Sequence, residues 1–389
     1  DILVRAPWRD ASVPCLCDRV FFGSAELAGQ ATLGDLGVAD GDRLTLVASQ
    51  LPPVVTMAMT GVVKIWDTAS GKCLRVLKGH EKGVYSVTFS PDGIMLATAS
   101  LDGSAKLWSA GTGECLGTLQ GHSCSVYSIA FSPDGQAVAT SSADATAKVW
   151  SSCTGDCLQT LQGHASAVVS AIFSPDGQVI ATTSRDGTAK IWATSSAECL
   201  HTLQGHRGSV SSPVFSADGC MLATASVDGT AKIWSSSSGQ CLWTLLGHSA
   251  FVKSVALSPN GQAAVTASGD GTAKIWSTSS GRCLRTLRED RRSMMTSAQF
   301  SPDGGAVVTA STSGSAKIWA ADSGRCLRTL QKSPHEVDCA AFSPDGQAVV
   351  TASRDGLARL WGVSSEGCSR TLEANAKCDV VLAAFSPSW

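Results

Sequence analysis

An all-β chain folded as an eight-bladed propeller, eight small four-stranded sheets stacked radially in a ring, is the fold class the sequence predicts. Three observations carry it. Tryptophan recurs at Trp66, Trp108, Trp150, Trp192, Trp234, Trp276, Trp319 and Trp361, spaced by 42 residues with one interval of 43. Each unit holds four short β-type runs punctuated by turn residues, and helical periodicity is absent throughout. A repeat of this length is one supersecondary unit, and radial stacking of such units buries both faces of every sheet.

The elements follow in order within the unit "GHEKGVYSVTFSPDGIMLATASLDGSAKLWSAGTGECLGTL" from Gly79. "VYSVTF" is the first strand. "SPDG" then supplies Pro for the second position of a type I turn and Gly to close the hairpin. "MLATAS" is the second strand, ended by "LDG", and "AKLW" and "CLGTL" are the third and fourth, joined by "SAGTGE". The chain enters this pattern at Val54 in "VVTMAMTGVVKIW", which matches second and third strands, and leaves it in "VVLAAFSPSW", which matches a first strand. A strand near Val380 to Phe385 is therefore predicted to pair with one near Val54 to Ala58 and close the ring. The alternative, seven complete blades with loose ends, leaves two unpaired sheet edges, which proteins avoid. The domain organisation read this way is a small segment over residues 1–48, a linker over 49–53 and a propeller over 54–389.

Composition narrows the function classes. The 389 residues are 43% hydrophobic and 16% charged, ordinary for a globular protein. Thirty Lys and Arg against 32 Asp and Glu, with no block of like charge, leave no electrostatic footprint for nucleic acid or a membrane surface. No apolar run approaches the eighteen or so residues of a membrane helix. The densest basic run, "RTLREDRRS" from Arg285, also carries two acids and reads as a solvated loop. Eight of the fifteen Cys follow the repeat, at Cys73, Cys115, Cys157, Cys199, Cys241, Cys283, Cys326 and Cys368. Equivalent positions of neighbouring units lie too far apart for disulfides, and no C-x-x-C pair suggests zinc. They read as small, half-buried hydrophobes in a reducing compartment, hence a cytoplasmic location, with nuclear or ciliary placement compatible. A chain starting at Asp1 rather than Met reads as a fragment or processed product. No cofactor or metal is expected.

Each of five units contains a His, a Ser and an Asp beside the repeated Trp. The sets are His80, Ser100, Asp102 and Trp108; His122, Ser142, Asp144 and Trp150; His164, Ser184, Asp186 and Trp192; His206, Ser226, Asp228 and Trp234; and His248, Ser268, Asp270 and Trp276. A catalytic triad needs one nucleophile in one cleft, so fivefold repetition argues for structure. The indole N–H is expected to donate to Ser, Ser to His, and the other imidazole nitrogen to Asp. Three consecutive units break the set. The sixth reads "REDRRSMM" where "GH" should stand, with Ser313 replacing the turn Asp. The seventh has Ser333 in the His slot but keeps Ser353, Asp355 and Trp361, and the closing unit has Ala376, Ala58 and Thr60.

The "GH" at the head and "IW" closing the third strand resemble the WD-repeat (WD40) family over residues 54 to 389, although only Trp66 is followed by Asp. The resemblance implies that the tetrads are structural and that partners bind the face carrying the loops into the first strand and the turns before the third. Carried onto this sequence, that face has Tyr85, Leu101 and Tyr127 as a cluster on adjacent units, with Arg185, then Phe251 and Lys253, and an acidic corner of Glu336 and Asp338 beside Arg354. Exposed aromatics with Arg are the usual composition of interaction hot spots. The Lys of the third strands, Lys64 to Lys317, read as a solvent-facing by-product of repetition.

Residues from Arg19, "RVFFGSAELAGQATLGDLGVADGDRLTLVAS", resemble the second half of a ubiquitin-like domain: a strand before "FG", Leu27, Thr32, Leu33, Asp35, Val38 and a closing strand Leu44 to Val47. Only eighteen residues precede this stretch, too few for the family's opening hairpin and helix, so a truncated docking appendage is expected. No phosphate loop, G-x-S-x-G elbow or H-E-x-x-H motif is present. The reading is a non-enzymatic scaffold that binds proteins or peptides on one propeller face as part of a multiprotein complex. The alternatives are a substrate-recognition adaptor in a ubiquitin-type pathway, a relative of assembly factors for cilia and axonemal dynein, and the sensor repeats of a larger NTPase-type signalling protein resembling vegetative-incompatibility proteins.

Overall fold

The computed structural model describes residues 19–22, 25–27, 44–47 and 51–387, except 290–292, 366 and 375–379. The chain divides into two compact units, Asp1–Leu51 and Pro52–Trp389. In the first, Arg19–Phe22 is the middle strand of an antiparallel three-stranded sheet, flanked by Ala25–Leu27 and Leu44–Val47. The strand before "FG" and the closing strand are thus partners. Thr32, Leu33, Asp35 and Val38 lie outside the described residues.

The second unit is eight antiparallel four-stranded sheets. Blades 1 to 7 span 84–119, 126–162, 168–203, 210–245, 252–288, 295–332 and 337–372, and in each the strands lie side by side in chain order. The closing blade takes its first strand, Val380–Phe385, from the end of the chain. Its other three, Val54–Ala58, Val63–Trp66 and Cys73–Leu77, come from the start of the unit. Val380 lies opposite Ala58 and Phe385 opposite Val54. Eight blades close the ring through this pairing, so neither terminal strand is left as an open edge.

The core lies between blades. Leu107 and Leu119 of blade 1 pack against Ile129, Val138 and Trp150 of blade 2, and Met57 and Ile65 of the closing blade pack against Val87, Phe89 and Trp108 of blade 1. Burying one indole removes roughly 150–250 Å² from water, worth about 4–6 kcal/mol at ~25 cal/mol per Å². A single four-stranded sheet has no such neighbour, which is why the repeat must close on itself. Along the first strands, Ser128 Oγ accepts the Ala171 N–H from the next blade at 3.0 Å, and Ser297 Oγ accepts the Ala340 N–H at 3.2 Å. These hydroxyls tie first-strand backbone to the neighbouring blade.

Two expectations about repeated positions are corrected. The third-strand Lys do not simply face solvent: Lys106, Lys148, Lys190, Lys232 and Lys274 each donate to a fourth-strand Thr at 2.7 to 3.0 Å. The ammonium groups of Lys64, Lys190, Lys232 and Lys317 lie 5.4 to 5.9 Å from the ring centre of their blade's Trp, a cation–π arrangement. The fourth-strand Cys, in turn, are exposed rather than half-buried. The fourth strand is the outermost of its blade, and these outward-facing residues meet water.

Candidate protein-binding face

The scaffold of this face is set by a threonine that the Ser-based reading missed. Trp108 Nε1–H donates to Thr98 Oγ1 at 2.8 Å, and Thr98 Oγ1 is 2.8 Å from His80 Nε2. His80 Nδ1 is 2.8 Å from Asp102 Oδ2. With Nδ1 protonated, Thr98 donates to Nε2 and His80 donates to Asp102, so every polar atom is satisfied. The same chain runs through Thr140, Thr182, Thr224 and Thr266 with His122, His164, His206 and His248. Ser100, Ser142, Ser184, Ser226 and Ser268 therefore do not receive the indole. The register explains it: Trp108 lies opposite Leu96, so Thr98 is two residues along, roughly 7 Å, and Ser100 four, roughly 13 Å, beyond the reach of an indole. Ser100 instead accepts the Asp102 N–H at 3.1 Å and donates to the Gly83 carbonyl at 3.0 Å.

The imidazoles are almost wholly enclosed, with side-chain exposure of 1% in all five pairs. Burial disfavours their charged form and holds all five below the ordinary imidazole pKa, against the opposing pull of the Asp carboxylates. For Asp102, Asp186, Asp228 and Asp270 burial acts upward but is outweighed by hydrogen bonds from the Ser or Thr two residues on, the loop or turn backbone, and the His, bringing them to about 2. Neutral imidazole hydrogen-bonded to ionised carboxylate is the resting state.

The Trp–Thr bond extends to all eight blades, including Trp66 with Thr56, Trp319 with Thr309 and Trp361 with Thr351. Where His is missing, other ion pairs stand. In blade 6, Glu289 occupies the slot held by Gly247 in blade 5, where a side chain would point at the blade's Trp and Lys. Its carboxylate meets Lys317 Nζ at 3.3 Å and accepts from Ser315 Oγ at 2.6 Å, both charged side chains being 5% exposed. In blade 7, Arg359 Nη2 contacts Asp355 Oδ2 at 2.6 Å. Burial pushes the Asp355 carboxyl upward, but Arg359 outweighs it and lowers the pKa. The sixth and seventh blades are thus re-wired; Ala376 of the closing blade lies outside the described residues.

On this frame the variable residues are fixed by backbone. The N–H before each turn donates to a carbonyl at the entrance to its blade's first strand: Leu101 to Gly83, Ala143 to Ser125, Arg185 to Ala167, Val227 to Ser209, Gly269 to Phe251, Thr312 to Met294 and Arg354 to Glu336, all at 2.9 to 3.0 Å. Across blades 1 to 3 the side chains form a continuous stack. Tyr85, 46% exposed, and half-buried Tyr127 have ring centres 5.5 Å apart and tilted by 56°. The Arg185 guanidinium lies 5.4 Å above the Tyr127 ring. Leu101 is half-buried at the blade 1 end, over Gly83.

The other positions differ in availability. Phe251 lies flat against Gly269, where an added Cβ would come within 2.5 Å of its ring, so Phe251 fills a slot that only Gly leaves open. The acidic corner is internally paired: Arg354 contacts Glu336 Oε2 and Asp338 Oδ2, both at 2.9 Å, and the Asp338 side chain is 6% exposed. Lys253 is exposed. Among the described residues no cluster of His, Cys, Asp or Glu could hold a metal ion.

A closed eight-bladed ring with a Trp–Thr hydrogen bond in every blade, extended through His to Asp in five, defines a repeat propeller. The WD domain, G-beta repeat family matches seven stretches, residues 71–109, 113–151, 155–193, 197–235, 239–277, 281–320 and 324–362. The chain belongs to this WD40 family, whose propellers are typically protein-interaction scaffolds. Among solved structures it resembles the computationally designed Ika8 protein at 30% identity and a TM-score of 0.72, over 80% of this chain and 93% of that one. No curated protein matches the chain.

Proposed function

We propose that the protein is a non-catalytic scaffold that binds a partner protein through the Tyr85, Leu101, Tyr127 and Arg185 surface of the propeller. The observation carrying this is the stack itself: exposed Tyr85 against half-buried Tyr127, capped by a guanidinium and spanning three blades. Tyr offers large contact area at small entropic cost, and Tyr and Arg are both enriched among the residues that dominate interface energetics. Their backbone is held by the turn-to-loop hydrogen bonds, so little ordering is required on association. The repeated His and Asp are already engaged with one another inside the blades, which leaves them as frame rather than chemistry. Affinity capture with wild type and Tyr85→Ala/Tyr127→Ala protein tests the reading. A partner retained by wild type and lost from the variant is expected; an unchanged set of partners contradicts it. The adaptor, assembly-factor and sensor roles differ in who that partner is, not in the surface used.

A further inference from the structure

Resting on the reading just given, we propose that the Tyr85, Tyr127 and Arg185 stack receives an acidic peptide segment. An Asp or Glu carboxylate meets the edge of the Arg185 guanidinium while a neighbouring apolar or aromatic side chain covers the tyrosine rings. Two Arg residues occupy equivalent turn positions on this face, and they are in opposite states. Arg354 is consumed by Glu336 and Asp338 of its own blade. Arg185 is exposed, has its guanidinium carbon 5.4 Å from the Tyr127 ring centre, and among the described residues makes no ion pair with a carboxylate. With no carboxylate of its own, Arg185 presents an N–H fork that matches an incoming carboxylate with two parallel hydrogen bonds.

Exposed cations and half-buried carboxylates surround the stack. On the upper loops and turns of blades 1 to 4 the exposed cations are Lys78, Lys82, Arg185 and Arg207, against the exposed carboxylate of Glu81. The turn residues Asp102, Asp144, Asp186 and Asp228 are half-buried and hydrogen-bonded to their His partners. Their oxygens are taken up by His, Ser or Thr and backbone donors, so the group left facing a ligand at the stack is the Arg185 guanidinium. A lone stacked guanidinium suits a planar carboxylate. The paired rings beside it ask for an apolar or aromatic neighbour, through offset or edge contacts at centroid separations of about 4.5–7 Å.

The test is selection of a random dodecapeptide display library on the full chain, with Tyr85→Ala/Tyr127→Ala protein as counter-selection. Chosen peptides are then titrated by fluorescence anisotropy. Enrichment of Asp or Glu beside an aromatic or aliphatic residue is expected. Replacing that acid by its amide should weaken binding at least tenfold, and in the Arg185→Gln protein the acid and amide peptides should bind within about twofold of each other. Enriched peptides without acids, or an acid preference that survives Arg185→Gln, overturn the acidic-partner inference but leave the surface standing. Failure to enrich anything over the double-Ala protein removes both.

Discussion

At the scale of single residues, one hydroxyl per blade has more to do than the sequence pattern suggests. Thr182 accepts the Trp192 indole N–H and contacts His164, and both groups are buried. Thr182→Val is isosteric but strands both of them, and should cost about 2–3 kcal/mol in urea unfolding. Ser184→Ala, which removes a donor to the Ser166 carbonyl and an acceptor of the Asp186 N–H, should cost nearer 1 kcal/mol. The reverse ranking would restore the Ser-based tetrad. The His, Asp and Trp of each set were legible because they are rare and periodic. The Thr was equally periodic, in all eight units, yet only strand register separates it from the Ser two residues on. The same sites set a pH dependence. The five His bind a proton less readily folded than unfolded, as do the Asp, so the unfolded chain holds more protons below the ordinary imidazole value of ~6.5. Stability contributed by these groups is therefore complete above about pH 7 and falls on acidification, first through His and then, below ~4, through Asp. Urea midpoints should drop steadily from pH 7.5 to 5; a flat or rising profile would contradict neutral, buried imidazoles.

At the scale of the element, turns carry most of the local information. Turn positions held by Gly elsewhere are Ala145 and Ala197 in two blades, and both keep the left-handed backbone, with φ of 66° and 59°. A Cβ there costs about 1–2 kcal/mol, partly offset by the greater freedom Gly has when unfolded. Ala145→Gly and Ala197→Gly should each stabilise by roughly 0.5–1 kcal/mol in thermal melts, additively, because the turns lie on different blades. The alternation of apolar residues gave the strand positions readily. Compensation in degenerate blades was hidden. "REDRRSMM" reads as a solvated loop, but its Glu289 is buried on Lys317 because the slot it fills is the one that points at the third strand. Pairings that depend on which face of a strand a loop residue reaches are not encoded by composition.

At the scale of the whole molecule, the ring has two kinds of boundary on its outer rim. Arg75, His201, Arg285, Arg328 and Arg370 each hydrogen-bond a carbonyl of the next blade, and Trp243 lies on Gly281. The corresponding residues at the boundaries of blades 1 with 2 and 2 with 3 are Gly117 and Gln159, and the Gln159 Oε1 is buried without a partner. These are the boundaries that Tyr85, Tyr127 and Arg185 bridge on the upper face. Closure was readable from the half-units at the two ends, because a strand edge demands a partner. Removing residues 380–389 should expose the edge of Val54–Ala58, lower the melting temperature and produce aggregates on size-exclusion chromatography; an unaltered monomer would argue against closure. The stack across blades 1 to 3 was only half legible: residue types marked the face, while the ring-to-ring and guanidinium contacts follow from ring geometry. The central claim is that this stack is where the scaffold holds its partner. Calorimetric titration of a captured partner with wild type, Tyr85→Ala/Tyr127→Ala and the outer-rim control Leu158→Ser tests it most directly. The account predicts a loss of at least about 30-fold in affinity for the double variant, as expected when a hot spot worth ~2 kcal/mol or more is removed, and none for the control. Equal affinity for all three proteins would contradict it.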